Sequence, residues 1–211
     1  MLRTILITTA ILLGPITANA DPATFNPDQD PGAAAMATFG RTTVPIGYYE
    51  FCRRARDECA VETSARPIRL DDASWRAIVE VNDTVNGSVR PRTDLELFGE
   101  SERWTYPDGE GDCEDYALLK RRLLHERGFP LGALLMTVAH DESGGGHAVL
   151  IAVTDRGDFV LDNVEKRVLP WSEARLHYLK RQSAADPNAW VDLSLDPALP
   201  FGHASAAIER P

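Results

Sequence analysis

The sequence predicts an α+β domain in which N-terminal helices pack on an antiparallel β-sheet, and three observations carry that reading. Apolar residues in 72–86, and again after Asp112, recur with the 3.6-residue period of an amphipathic helix. From residue 133 the pattern changes to short β-rich runs, "ALLMTVA" (133–139), "HAVLIAVT" (147–154) and "FVLDN" (159–163), separated by the turn-forming "HDESGGG" and "DRGD". Helices and strands are thus segregated along the chain instead of alternating, and the short links between strands make an antiparallel meander.

The first 20 of the 211 residues, "MLRTILITTAILLGPITANA", set Arg3 before an apolar run from Ile5 to Leu13 and end on Ala18-Asn19-Ala20. That is the layout of a secretory signal peptide cut after Ala20, and its apolar run falls short of the ~20 residues of a membrane span. Removing it leaves 191 residues, enough for one domain with a core, and takes the net charge from −10 to −11 because Arg3 goes with it. Residues 21–46, rich in Pro, Ala, Asp and Thr, read as an extended lead-in, 47–196 as the domain, and 197–211 as a loose tail.

Export means an oxidising compartment, where an odd count of three cysteines leaves one unpaired. Cys52 and Cys59, in "FCRRARDEC", are the pair expected to bridge. Along an unbroken helix their Cα atoms would stand ~10.5 Å apart, beyond the ~7 Å a disulfide tolerates, so the bridge requires a turn or helix break between them. Cys113 is then the free thiol.

In 72–86, "DASWRAIVEVNDTVN", Trp75, Ile78, Val79, Asn82 and Val85 share one face and Gly87 follows. Residues 87–112 read as a long connection without period. The next helix is the best marked. Asp112 is its N-cap, Asp115 adds charge to the first turn, and Gly128 with Pro130 closes it. Tyr116, Leu119, Leu123 and Leu124 form the apolar stripe, with Lys120, Arg121 and Arg122 expected to face out. After the meander a third helix is expected over 171–182, "WSEARLHYLKRQ", and a last strand over 189–193, "AWVDL".

With 32 acidic against 22 basic residues and no basic stripe, the chain is unsuited to nucleic acid or an anionic lipid surface; its excess of acids suits a divalent cation or a basic partner. The His and Cys spacing is not a zinc pattern, and no EF-hand loop is present. The chemistry concentrates in "GDCEDYALLKRRLL" (111–124). At a helix start, free N–H groups and the helix dipole favour a thiolate at Cys113, whereas Asp112, Glu114 and Asp115 oppose one, so an imidazolium or a bound cation has to offset them. Of five histidines, His147 stands out because it follows three glycines and opens an apolar strand, a place from which a polar side chain reaches a cleft. His140 and His203 read as surface residues, and His125 and His177 as helical. Asp162 is the carboxylate within "FVLDN" suited to orient the imidazole. A turn centred between Asp155 and Arg156 sets it opposite Val149 and diagonal to His147; a turn on Arg156-Gly157 sets it opposite Ile151, too remote. Asn163 is the alternative.

The ordered segments "GDCEDYALLK", "GFP", "GGGHAVL" and "FVLDN", with the upstream "PIGYYEFC", "VNDTVN" and the segment around Trp104, resemble the bacterial transglutaminase-like cysteine proteinases over roughly residues 44–192. The resemblance implies a papain-like, transglutaminase-like core with Cys113 as nucleophile, His147 as general base and Asp162 as orienting acid. It implies Ca²⁺ held by the acids flanking the nucleophile, Asp112 and Glu114 with Asp115 as a further ligand, and no organic cofactor. It also implies a periplasmic protease that cuts a large surface adhesin and releases biofilm cells, controlled by an inner-membrane receptor, with no membrane insertion after signal cleavage. The oxyanion would be held by the Cys113 backbone N–H and a second donor, for which Trp104 and Tyr106 are candidates.

Two other readings use the same residues differently. The triad could pass the acyl group to a lysine or act on a cell-wall peptide amide, which incorporation of a labelled amine would reveal for transfer. A non-catalytic periplasmic binding or adaptor domain would instead leave Cys113 inert to iodoacetamide.

Overall fold

The computed structural model describes residues 34–61 and 66–194. The expected signal peptide, the tail from 197 and His203 lie outside the described residues. Strand β1 (Arg41–Thr42) leads into α1 (Ile46–Arg54), a 3-10 turn (Arg56–Cys59), α2 (Asp72–Ser88), β2 (Arg90–Pro91), α3 (Asp94–Phe98), β3 (Glu110–Gly111) and α4 (Cys113–Glu126). A second 3-10 turn (Leu131–Ala133) opens the strands β4 (Leu134–His140), β5 (Gly146–Thr154), β6 (Gly157–Leu161), β7 (Leu169–Pro170), β8 (His177–Gln182) and β9 (Trp190–Asp192). Seven strands form one antiparallel sheet in the order β1-β9-β8-β4-β5-β6-β7, so the fold is α+β as the segregated pattern implies. β2 and β3 make a separate parallel pair.

Alternation along the central strands sets the layers. Leu134, Met136, Leu150, Ala152, Phe159 and Leu161 join Trp75, Ile78, Val81 and Val85 of α2 and Tyr116, Ala117 and Leu124 of α4 in the main core. Leu135, Val149, Ile151 and Val160 form a second cluster with Met36, against which Trp171, Leu176 and Tyr178 pack. The end of the lead-in therefore belongs to the fold, through Met36 and through β1, which pairs with β9.

Helix α1 seats Tyr48 and Phe51 in the main core, and Tyr48 meets Trp104 and Trp190 edge to face, each at 5.6 Å between centroids. Gly47 permits that approach: a Cβ there would stand 2.3 Å from Trp104 Cδ1, against a buried indole with no room to retreat. Gly47→Ala is expected to cost about 1–3 kcal/mol by overpacking, read as a lower urea midpoint at unchanged m-value. The helix stops at Arg54, and the 3-10 turn that follows brings Cys59 back to a Cα–Cα distance of 5.6 Å from Cys52, where the two form a disulfide. That is the break the spacing demanded.

Two expectations fail. Residues 177–182 are not helical but form β8, wedged between β4 and β9. The strand is held by groups a helix would withdraw: Arg181 pairs with buried Asp158 at 2.8 Å, and the Gln182 amide bridges the Met136 N–H and the Tyr48 hydroxyl. Lys120 and Arg121 do not face out either; both are buried, because α4 is enclosed by α2 on one side and by β4 and β5 on the other. Arg121 donates to the carbonyls of Leu134 and Glu58. Only Arg122 of the three is exposed.

Candidate active site

Cys113 is the first residue of α4 and the free cysteine among the described residues. Its sulfur lies against β5, where the Ala148 backbone N–H donates to it, and it donates in turn to Glu114 Oε2 at 3.1 Å. Burial first, then the charge and hydrogen bond of Glu114 and the charge of Asp112, push the thiol well up, against the pull of the Ala148 N–H. The loop entering the helix needs a glycine at 111, since a Cβ there would stand 2.7 Å from Asp115 Oδ2.

The residue before Ala148 is His147. Its strand is anchored by the preceding loop, in which Asp141 Oδ1 accepts from the N–H groups of Ser143 and Gly145 and Gly144 takes a φ of +84°. Across the next hairpin Thr154 pairs with Gly157 and Leu150 with Leu161, so Asp155 and Arg156 make the turn. Extended one residue past the end of the ladder at Leu150 and Leu161, that register sets Asp162 opposite Val149 and diagonal to His147. His147 Nε2 lies 2.8 Å from Asp162 Oδ1, both side chains being buried, and the Val164 N–H donates to the same oxygen at 3.0 Å. Burial alone would lift the Asp162 carboxyl; the hydrogen bond and charge of His147, the Val164 N–H and the charge of Lys120 hold it below the usual range. With Nε2 committed to the carboxylate, Nδ1 is the ring nitrogen left for chemistry.

The remaining candidates sit elsewhere. Asn163 adjoins Asp162, but its Oδ1 is buried without a hydrogen-bond partner. His125 contacts the Phe129 carbonyl, and His140 faces His177 across β4 and β8, so His177 is on a strand and not a helix. The Trp104 indole N–H already donates to Glu102 at 2.7 Å. The Tyr106 phenol is pushed up by burial and then by its hydrogen bond to Glu58.

Asp112 occupies the N-cap position of α4 without capping it; its Oδ2 accepts instead from the Asp94 N–H at 3.3 Å. One carboxylate oxygen each from Asp94, Asp112 and Glu114 lie within 4.8 Å of one another. Asp115 is not in this cluster: its Oδ1 takes the Thr105 N–H at 2.8 Å, and burial pushes it up to about 8. Burial, then the charge of Asp94, pushes Asp112 up to about 6; burial, then Asp112, pushes Glu114 well up; and burial raises Asp94 and Glu102.

Residues 38–197 match the family described as bacterial transglutaminase-like cysteine proteinase, BTLCP. The chain belongs to that family. It is therefore a cysteine peptidase, with a protein as substrate. The solved structures it is similar to include Legionella pneumophila LapG in calcium-bound form, at 21% identity over 67% of this chain and 86% of that one with a TM-score of 0.45. They also include the same protein in EGTA-treated form, at 21% identity over 67% and 84% with a TM-score of 0.43. No curated protein matches the chain.

The cluster's own chemistry fits a hard cation. Three carboxylates converge from two segments, and Asp94 Oδ1 and Asp112 Oδ1 are buried without a hydrogen-bond partner. Asp94 is the member that sequence reasoning missed. Its signal was present: Thr93 and Glu96 form a capping box, the mark of a helix start within the apparently shapeless connection.

Proposed function

We propose that the chain is an exported, periplasmic cysteine protease that hydrolyses a peptide bond of a surface protein through Cys113, His147 and Asp162. The observation that carries this reading is the run of contacts from α4 across β5 to the residue after β6: the sulfur meets the backbone beside His147, and His147 meets Asp162 at 2.8 Å. Cys113 Sγ, giving its proton to His147, attacks the scissile carbonyl carbon. The oxyanion is held by the Cys113 backbone N–H, which no helical carbonyl claims at this position. His147 returns the proton to the departing amine, leaving an acyl-thioester. A water, deprotonated by His147, then attacks the thioester and releases the acid and the thiol. Asp162 fixes the imidazole with Nε2 turned inward and stabilises its cation.

Asp94, Asp112 and Glu114 are the residues that would hold calcium in this reading. The ion, when bound, supplies positive charge against the acids that press on the thiol and fixes the first turn of α4. A large adhesin as substrate and an inner-membrane receptor as regulator complete the proposal; among the described residues no helix is long and apolar enough to cross a membrane.

The test is to incubate the purified protein with the surface proteome of its host, with and without EGTA, and to sequence the new N-termini. One dominant cleavage site that EGTA suppresses is expected. Incorporation of a labelled amine without a new N-terminus would replace hydrolysis by acyl transfer.

A further inference from the structure

Lys120 is fully buried, and its Nζ has no hydrogen-bond partner among the described residues. A buried ammonium without a partner is among the costliest arrangements a protein holds. The charges that act on it are acidic, Asp162 beyond the end of β6 and Asp83 on α2, and neither makes a hydrogen bond to the Nζ. Burial pushes the amine down to about 7, while those two carboxylates pull it back up. The effect is reciprocal, for the Lys120 charge is one of the influences that keep Asp162 low.

The placement gives this charge a use. Lys120 follows Cys113 by seven residues, about two turns along α4, so one rigid element carries both the nucleophile and the cation whose charge acts on the orienting acid. Asp162 is gripped from the other sides as well. Asn86 of α2 donates to its backbone carbonyl at 2.8 Å, and its Oδ1 receives both His147 and the Val164 N–H. The Lys120 charge adds to these hydrogen bonds in keeping the enclosed carboxylate an anion.

We propose that Lys120 is a positioning residue: its ammonium, acting through the Asp162 carboxylate, holds that carboxylate against His147 and so keeps the imidazole aimed at Cys113. The role rests on the catalytic reading above. It is tested without a substrate, by the rate at which iodoacetamide alkylates Cys113 in the full chain at constant calcium, followed by mass of the Cys113 peptide beside the thermal midpoint. His147→Ala and Asp162→Asn are the controls for the catalytic reading and are expected to slow alkylation. Lys120→Met and Lys120→Gln are each expected to slow it about tenfold, the lower end of what losing an outer-shell partner of a metal-bound histidine costs. Lys120→Met is expected to do so with the midpoint unchanged or raised, because an apolar chain of similar length replaces a buried unpaired charge. Should His147→Ala slow alkylation while both Lys120 variants react at the wild-type rate, the proposal fails and the triad stands. Reactivity and midpoint falling in step in both variants would make Lys120 structural and also end it. Wild-type reactivity in His147→Ala would overturn the triad and Lys120's part in it together.

Discussion

Cys113→Ala is expected to abolish cleavage, a loss on the order of 10⁶ in kcat, the scale seen when a catalytic nucleophile is deleted. The loss is that large because nothing nearby can replace the sulfur. It is the free thiol among the described residues, and the residues flanking it in the chain, Asp112, Glu114 and Asp115, are carboxylates. The fold should survive. The sulfur has one side-chain hydrogen bond, to Glu114, so its removal should cost about 1 kcal/mol. Asp162→Asn is expected to be milder, on the order of 10⁴ at most, because the amide keeps the imidazole in place while favouring the wrong tautomer. Both are read as kcat on the peptide that carries the mapped cleavage site, with a thermal melt alongside. Cleavage by Cys113→Ala at the wild-type rate would end the assignment of this thiol.

What was legible in the sequence is what local chemistry determines. The two-residue turn at Asp155-Arg156 was one of two registers the residues allowed, and that register brings Asp162 to His147. The cysteine spacing required a helix break, and one occurs after Arg54. What stayed illegible depends on partners distant in the chain. The run 171–182 holds enough apolar residues at helical spacing to read as a helix, yet His177–Gln182 is drawn into the sheet by β4 on one side and β9 on the other. Lys120 and Arg121 read as solvent-facing because a helix with one apolar stripe normally has one buried face, whereas α4 is covered on two. Asp94 lies 18 residues before Asp112, and it reaches the cluster because β2 pairs with β3 and folds the connection back. No spacing rule reads such a loop.

Stability and calcium should be linked through pH. In calcium-free protein, prepared by passage over a chelating resin, the thermal midpoint is expected to fall as pH rises from about 4 to 6, and added calcium to reverse that fall. Asp112 moves from an ordinary 3.8 up to about 6 in the fold, and Asp94 and Glu114 are also raised. Between those limits these three carboxylates bind more protons in the folded chain than in the unfolded one. The stability these groups allow is therefore full below the ordinary carboxylate range and is lost as pH climbs through the folded value. For Asp112 this amounts to about 1–3 kcal/mol after allowance for its partial exposure. A cation needs the ionised carboxylates, so its affinity rises over the same interval in which the metal-free fold weakens. The gap in midpoint between calcium-loaded and calcium-free protein should then widen with pH and be largest near neutrality. Asp94→Asn should narrow that gap, since it removes a member of the cluster, and Asp115→Asn should leave it, since that carboxylate faces Thr105. Equal midpoints with and without calcium at neutral pH would mean that these three acids do not form a calcium site.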